Sequence, residues 1–202
     1  MQKPRLFAVV STAVFLLSFV GSAGATILTF DDLVGANGDP FVGSSQDGFS
    51  VAPTGGSWFE AHVFGNLVPS IFAGPIDSPS TSSIEVSNTT SFRFDAVDLA
   101  CNNGETGCSF SFEGFFGGNS VFAFLGVLPP LGSPFGFVNE LSSSAMLIDS
   151  LVITMSPGSG TTSMNIDNIN VTAVEGPVVP EPGTIVVLGL GLLGLALRRR
   201  AA

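Results

Sequence analysis

Short runs in which apolar and polar residues alternate one by one recur through this chain and restrict its fold more than any other feature. In TSFRFDAVDLA, Phe92, Phe94 and Ala96 alternate with polar or charged neighbours, and Phe110 and Phe112 do so in GCSFSFEGFF. A period of two is typical of strands that bury one face, and the Gly, Pro, Asn and Ser between the runs are typical of turns. No stretch between the two ends has the spacing of an amphipathic helix. The pattern therefore predicts an all-β fold.

We place strands near residues 26–30, 47–51, 57–64, 82–86, 90–99, 107–115, 119–126, 145–155 and 162–174. Eight or nine short strands predict one antiparallel β-sandwich, of the jelly-roll type. In MNIDNINVTAV the apolar phase changes at Asp167 and Asn168. This change predicts either a β-bulge or a strand that is buried on both faces.

The first 25 residues have the three parts of a secretory signal peptide. Lys3 and Arg5 precede an apolar segment from Leu6 to Val20, and Ala23-Gly24-Ala25 is a small-residue cleavage site. This order predicts export and cleavage after Ala25, and the alternative is a permanent N-terminal anchor.

The middle of the chain, residues 26–178, is strongly acidic. It contains one basic residue, Arg93, and fifteen acidic residues, so its formal net charge is −14. Such a surface repels the phosphates of nucleic acids and of anionic lipids, which excludes both as partners. Carboxylates without cationic side chains beside them must be solvated or hold cations.

The two cysteines, Cys101 and Cys108, flank the short segment NNGETG. In an exported protein, a close pair of cysteines predicts a disulfide that closes a turn. Two free buried thiols are the alternative, and a metal site is disfavoured because no histidine lies nearby.

The chain ends on VPEPGTIVVLGLGLLGLALRRRAA. Residues 184–197 are uncharged and would span about 21 Å as a helix, which is short against a hydrocarbon core of about 30 Å. Arg198, Arg199 and Arg200 would hold the end of this short transmembrane helix in the cytoplasm. A simple tail anchor on a proline-rich stalk is the alternative reading.

Val179, Pro180, Glu181 and Pro182, followed by the apolar segment and the arginines, resemble the PEP-CTERM protein-sorting signal over residues 179–201. The resemblance implies an exported protein of a Gram-negative bacterium that an exosortase processes, and Pro180, Glu181 and Pro182 would be recognised by that enzyme. It also implies attachment to the inner membrane before processing and association with exopolysaccharide and biofilm. The middle resembles the β-sandwich bodies found ahead of such tails, in TFDDL (29–33) and IDNINV (166–171), which predicts that the first and last strands pair.

The residues of the middle do not predict an enzyme. His62 is the only histidine, and no G-x-S-x-G sequence supplies a nucleophile beside it. With fifteen carboxylates some close pair is inevitable, but no local sequence marks a glycosidase dyad. We therefore predict that the protein is not an enzyme.

Two binding hypotheses remain from the sequence. Asp31, Asp32, Asp167 and Asn168 supply the oxygen ligands that calcium prefers, and they would converge if the first and last strands pair. The alternative is that these side chains shape a bulge and face water. Trp58 is a candidate platform for stacking on a sugar, and a place in the core is its alternative.

Taken together, the sequence predicts an exported protein of the cell surface or extracellular matrix with a non-catalytic structural or adhesive role. A calcium-dependent glycan-binding module is the alternative function, and a glycoside hydrolase is the third.

Overall fold

The computed structural model describes residues 24–129 and 136–174. These residues form eleven strands, every pairing between them is antiparallel, and the described ranges contain no helix. The strands are β1 (Gly24–Leu28), β2 (Ser44–Gln46), β3 (Phe49–Gly55), β4 (Trp58–Ala61), β5 (Ser70–Ala73), β6 (Ser82–Asn102), β7 (Ser109–Phe116), β8 (Asn119–Val127), β9 (Val138–Leu141), β10 (Ile148–Ser156) and β11 (Ser163–Ala173). The predicted antiparallel all-β fold is confirmed.

The long strand β6 belongs to two layers. Its first part pairs with β3 as far as Asn88 on one edge and with β10 on the other, where Ile148 reaches Phe92, and β10 continues to β7 and β8. Its second part, from Phe92, pairs with β11 and β9, and β11 continues to β5 and β4. The exposed pair Thr89 and Thr90 lies where β6 passes from one layer to the other.

Phenylalanine side chains join the two layers into one core. Phe94 of β6 packs edge-on against Phe112 of β7, with ring centroids 4.9 Å apart. Phe92 packs in the same way on Phe49 of β3 at 5.1 Å. All four rings are buried. Edge-to-face aromatic pairs of this kind are favourable beyond the area that they bury, which agrees with the predicted β-sandwich.

Three strands were not expected from the sequence. β2 and β9 have only three and four residues, and β5 (SIFA) is buried at all four positions, so it shows no alternation. The two strands predicted at 82–86 and 90–99 are one continuous strand, β6. Strands that are very short or buried on both faces give too weak a periodic signal for detection.

The change of phase in β11 is a shift in strand register. The shift lies between Asp167 and Asn170, and Asn168 has a positive φ of 43°. As a result Met164 and Ile166 face the core on one side of it, while Ile169 faces the core on the other. Asparagine tolerates this left-handed backbone better than most residues. The register shift that the sequence indicated at this position is confirmed.

The first and last strands pair, as predicted. Gly24 at the start of β1 lies opposite Ala173 at the end of β11. Gly24 and Ala25 are the only residues of the predicted signal peptide that the structure describes. The predicted tail helix within 179–201 lies outside the described residues. Within the described residues, no helix has the length and apolarity needed to cross a membrane.

Candidate functional site

The four predicted calcium ligands are only partly brought together. Asp167 is buried beside Asn168, and Asp31 is near enough for its charge to affect Asp167. Asp32 instead lines a separate recess together with Glu60. Within 24–129 and 136–174, no group of three or more His, Cys, Asp or Glu side chains is arranged to hold a metal ion. The predicted set of four is therefore not assembled, and calcium binding stays a prediction.

What the fold does assemble is a buried pair of carboxylates surrounded by asparagines. Asp98 of β6 is the register partner of Asp167 of β11. Asp98 accepts hydrogen bonds from the Nδ2 atoms of Asn66 and Asn168, each at 2.9 Å, and from Nδ2 of Asn139 at 2.7 Å. Asp167 accepts the backbone N–H of Asn66 at 2.7 Å and that of Asn168 at 2.9 Å. Each of the four carboxylate oxygens thus accepts at least one hydrogen bond.

Burial raises the pKa of Asp167 from 3.8 to about 6. The main cause is the loss of solvation, because a charged carboxylate is disfavoured away from water. The two backbone hydrogen bonds oppose this rise, while the negative charges of Asp98 and Asp31 add to it.

The carboxylate pair holds the loop between β4 and β5, residues 62–69, to the sheet. Asn66 is the contact point, because its backbone N–H bonds to Asp167 and its side chain bonds to Asp98. Sequence reasoning missed Asp98, Asn66 and Asn139. They are far apart in the chain, and only the pairing of β6 with β9 and β11, and of β11 with β5 after the loop, reveals that they meet.

The same loop forms one wall of a pocket of about 380 Å³, a volume within the range of small-molecule sites. The apolar side is lined by Val63, Phe64, Phe72 and Ile76, and the polar side includes Asp77, Asn102, Ser163 and Asn165. Asn102 lies at the end of β6, and Ser163 and Asn165 lie at the start of β11. Asp77 is in the loop between β5 and β6, and its backbone N–H donates to the carbonyl of Thr162.

A chain of hydrogen bonds determines which way the amide of Asn102 points. The Ser70 hydroxyl donates to the carbonyl of Phe64, so Ser70 Oγ is free to accept a hydrogen bond from Asn165 Nδ2 at 3.3 Å. Asn165 Oδ1 in turn accepts from Asn102 Nδ2 at 2.9 Å. Asn102 Oδ1 is therefore left over, buried and without a partner among the described residues.

An unpartnered buried oxygen is unusual. Such an atom costs about 1–3 kcal/mol relative to a hydrogen-bonded one. The Asn102 side chain is only 4% exposed, and it lines the pocket. One of the residues that line the pocket therefore has a side-chain oxygen that accepts no hydrogen bond from the described residues.

The predicted disulfide is confirmed, and it lies beside the pocket. Cys101 and Cys108 are bonded and fully buried. They close the turn that carries Asn102 and Asn103, both of which line the pocket. The disulfide therefore restrains one of the pocket walls.

His62 lies in an ion-pair position and not in a catalytic triad. Its Nε2 atom is 2.8 Å from Oε2 of Glu60, which also accepts the backbone N–H of Gly35. No hydrogen bond joins His62 to a serine hydroxyl anywhere in the described part of the chain. This arrangement lacks the nucleophile that a Ser-His-Asp mechanism requires.

The glycan-platform prediction for Trp58 is wrong. The Trp58 side chain is only 2% exposed, and its Nε1 donates to the carbonyl of Ser83 at 3.0 Å. Trp58 begins β4 and faces the core, where its ring cannot stack on a sugar. The alternative reading, a core tryptophan, is the one that the structure supports.

Comparison with solved structures finds distant similarity to β-sheet modules. The chain resembles the family 29 carbohydrate-binding module CBM29_1 from Piromyces equi at 16% identity and TM-score 0.42, over 75% of this chain and 91% of that one. It resembles the xylan-binding domain CBM22-1 of Paenibacillus barcinonensis Xyn10C at 10% identity and TM-score 0.40, over 78% and 97%. The enzymatically active domain of bacteriophage CBA120 tailspike protein 4 matches at 15% identity and TM-score 0.41, over 61% of this chain and only 19% of that one. Similarity at this level does not define a shared ligand or activity.

No curated protein matches the chain. The family model of the PEP-CTERM protein-sorting motif does match, over residues 178–200. The match includes Val179, Pro180, Glu181 and Pro182 and reaches Arg198, Arg199 and Arg200, all of which lie outside the described residues. This motif indicates export and sorting by an exosortase. The chain is therefore a protein that carries the PEP-CTERM sorting motif behind an antiparallel β-sheet domain.

Proposed function

We propose that this protein is a non-catalytic adhesive component of the cell surface or extracellular matrix, associated with exopolysaccharide. The observation that carries the proposal is the sorting motif at 178–200, which begins soon after β11 ends at Ala173. The folded domain is thus the cargo that the motif delivers. Its partners would be the exosortase, the inner membrane before processing, and exopolysaccharide afterwards.

The ends of the domain suit a cargo that is released by processing at both ends. Gly24 and Ala173 are paired across β1 and β11, so both hydrophobic segments are joined to the same end of the domain. The pocket residues Asn102 and Ser163 are paired at the opposite end of β11. Ten residues of strand, about 33 Å, separate the two ends, so the pocket lies far from the points of attachment.

The hydrogen bonds that Asp98 and Asp167 accept support a non-catalytic role. In a glycosidase one carboxyl group must give up a proton and the other must reach the sugar or a water molecule. The buried oxygens of Asp98 and Asp167 instead accept N–H donors that hold a loop.

The test is mass spectrometry of the protein recovered from cells and from medium. We expect mature protein that begins after Ala25 and lacks Leu197 and the arginines. A variant with Pro180, Glu181 and Pro182 all replaced by alanine should keep the tail and stay with the membrane fraction. Mature surface protein that still carries Leu197 and Arg198 would contradict the proposal.

Calcium remains in the proposal in a structural role only, with Asp31 and Asp167 as its carboxylate ligands. Thermal unfolding with and without a chelator tests it directly. A lower unfolding midpoint in the presence of the chelator supports calcium binding if the Asp31→Asn variant shows no such decrease. An unchanged midpoint removes calcium and leaves the adhesive role intact.

A further inference from the structure

We infer that the pocket between the 62–69 loop and the paired ends of β6 and β11 binds an uncharged saccharide unit. This inference rests on the proposed association with exopolysaccharide and deepens it, because it assigns the binding to one pocket and to one class of sugar. It rests on the side chains that line the pocket, taken with the unpartnered oxygen of Asn102.

The first step is the hydrogen-bonding character of the polar side. Asn102 Oδ1 is an acceptor that lacks a donor, and the chain of bonds from the Phe64 carbonyl through Ser70 and Asn165 prevents the amide from simply reversing. A ligand that presents a donor group to Asn102 would satisfy this oxygen. A hydroxyl group meets this requirement, since it donates one hydrogen bond and accepts others. The oxygen is covered in the free protein, so binding requires a small shift of the Asn102 side chain.

The second step is the apolar side of the same pocket. Val63 is 79% exposed and Ile76 is 54% exposed, and beside them lie the rings of Phe64 and Phe72. Large apolar side chains grouped at a pocket rim mark a binding site more often than an ordinary surface. A sugar ring is matched to this pocket, because it has an apolar C–H face and a polar rim of hydroxyl groups.

The third step is charge. Among the lining residues the only charged side chain is Asp77, and no lysine or arginine is present to neutralise an anion. The domain as a whole carries one basic residue against fifteen acidic residues. Uronic acids and sulfated sugars would be repelled by this field. An uncharged sugar would not be.

The experiment uses the exported domain and oligosaccharides prepared from the cells' own exopolysaccharide, separated into neutral and anionic fractions. We expect the neutral fraction to bind in calorimetry and the anionic fraction not to bind. Ile76→Asn, which removes apolar contact at the exposed rim, should weaken binding about tenfold, equivalent to about 1.4 kcal/mol. Asn102→Ala, with its fold verified by circular dichroism, should weaken binding by at least as much.

The matched control is Val42→Asn, because Val42 is 85% exposed and does not line the pocket. It should bind as the wild type does. The inference is overturned if neither fraction binds, if only the anionic fraction binds, or if the Ile76 and Asn102 variants bind like the control. None of these results affects the export and processing test, so failure of this inference is distinguishable from failure of the proposed function.

Discussion

Asp98 and Asp167 face each other as direct partners across the β6–β11 ladder, and both are buried. Like charges directly opposite on neighbouring strands are destabilising. The fold offsets this with five hydrogen bonds from N–H groups, three to Asp98 and two to Asp167, and with a raised pKa for Asp167. The pair attaches the 62–69 loop, which lines the pocket. The ionisation of the pair should therefore affect both the stability of the domain and the pocket.

Stability should fall as the pH rises, because of Asp167. Its pKa is about 6 in the folded protein and near 3.8 in the unfolded chain, so its contribution is fully present below pH 3.8 and is lost as the pH rises through about 6. The loss is on the order of 3 kcal/mol. We expect the free energy of unfolding of Asp167→Asn to lack this decrease, as measured by urea denaturation across the same pH range.

Glu113→Gln, on the outer face of β7, is the control for that experiment because it removes one negative charge from a partly exposed position. It should keep the wild-type decline in stability. An equal decline in Asp167→Asn would show that another group is responsible.

The contact made by Asn66 should hold the 62–69 loop. Asn66→Ala removes one of the two side-chain hydrogen bonds to Asp98 Oδ2 and should lower the free energy of unfolding by about 0.5–1.5 kcal/mol, because Asn168 still donates to that oxygen. Amide hydrogen exchange in residues 62–69 should become faster. The neighbouring Leu67→Ala is the control, because Leu67 is 81% exposed and should cost less than about 0.5 kcal/mol. Equal exchange rates in the two variants would contradict the assigned role.

Loss of the disulfide should destabilise the domain. Replacing Cys101 and Cys108 with alanine releases an eight-residue loop, which should lower the free energy of unfolding by about 2.5 kcal/mol in the chain-entropy model. The measurement is chemical denaturation of the variant and of the wild type under oxidising conditions. Adding a reductant should shift only the wild type, and a shift in both would point to another cause.

Trp58 should matter for stability and not for glycan binding. Trp58→Phe keeps most of the buried volume but leaves the Ser83 carbonyl without its donor, so we expect a loss of about 1–3 kcal/mol. The folded variant should retain exopolysaccharide as the wild type does in a pull-down assay. Reduced retention by a folded variant would return Trp58 to the candidate sites.

Several features could be predicted from local sequence. The alternation around Phe92 and Phe110 indicated strands, the close cysteines indicated a disulfide, and the change of phase at Asp167 indicated the register shift. Each of these is a pattern within a few residues, and the backbone geometry of a strand converts such a pattern directly into structure. The sorting motif was readable for the same reason, since it is a contiguous segment.

The candidate site could not be predicted in this way. Asp98 and Asn139 meet because β6 pairs with β9, and Asn66 reaches them because its loop leads into β5, which pairs with β11. Strand pairing is decided by the packing of the whole domain. Trp58 was open between a sugar platform and the core, because the sequence does not say which face of a strand is buried. The sequence alone thus determined the strands, the covalent cross-link and the signal for export. Only the tertiary structure decided which polar groups are buried and which of them lack a partner, because burial is a property of the packed domain and not of any single segment.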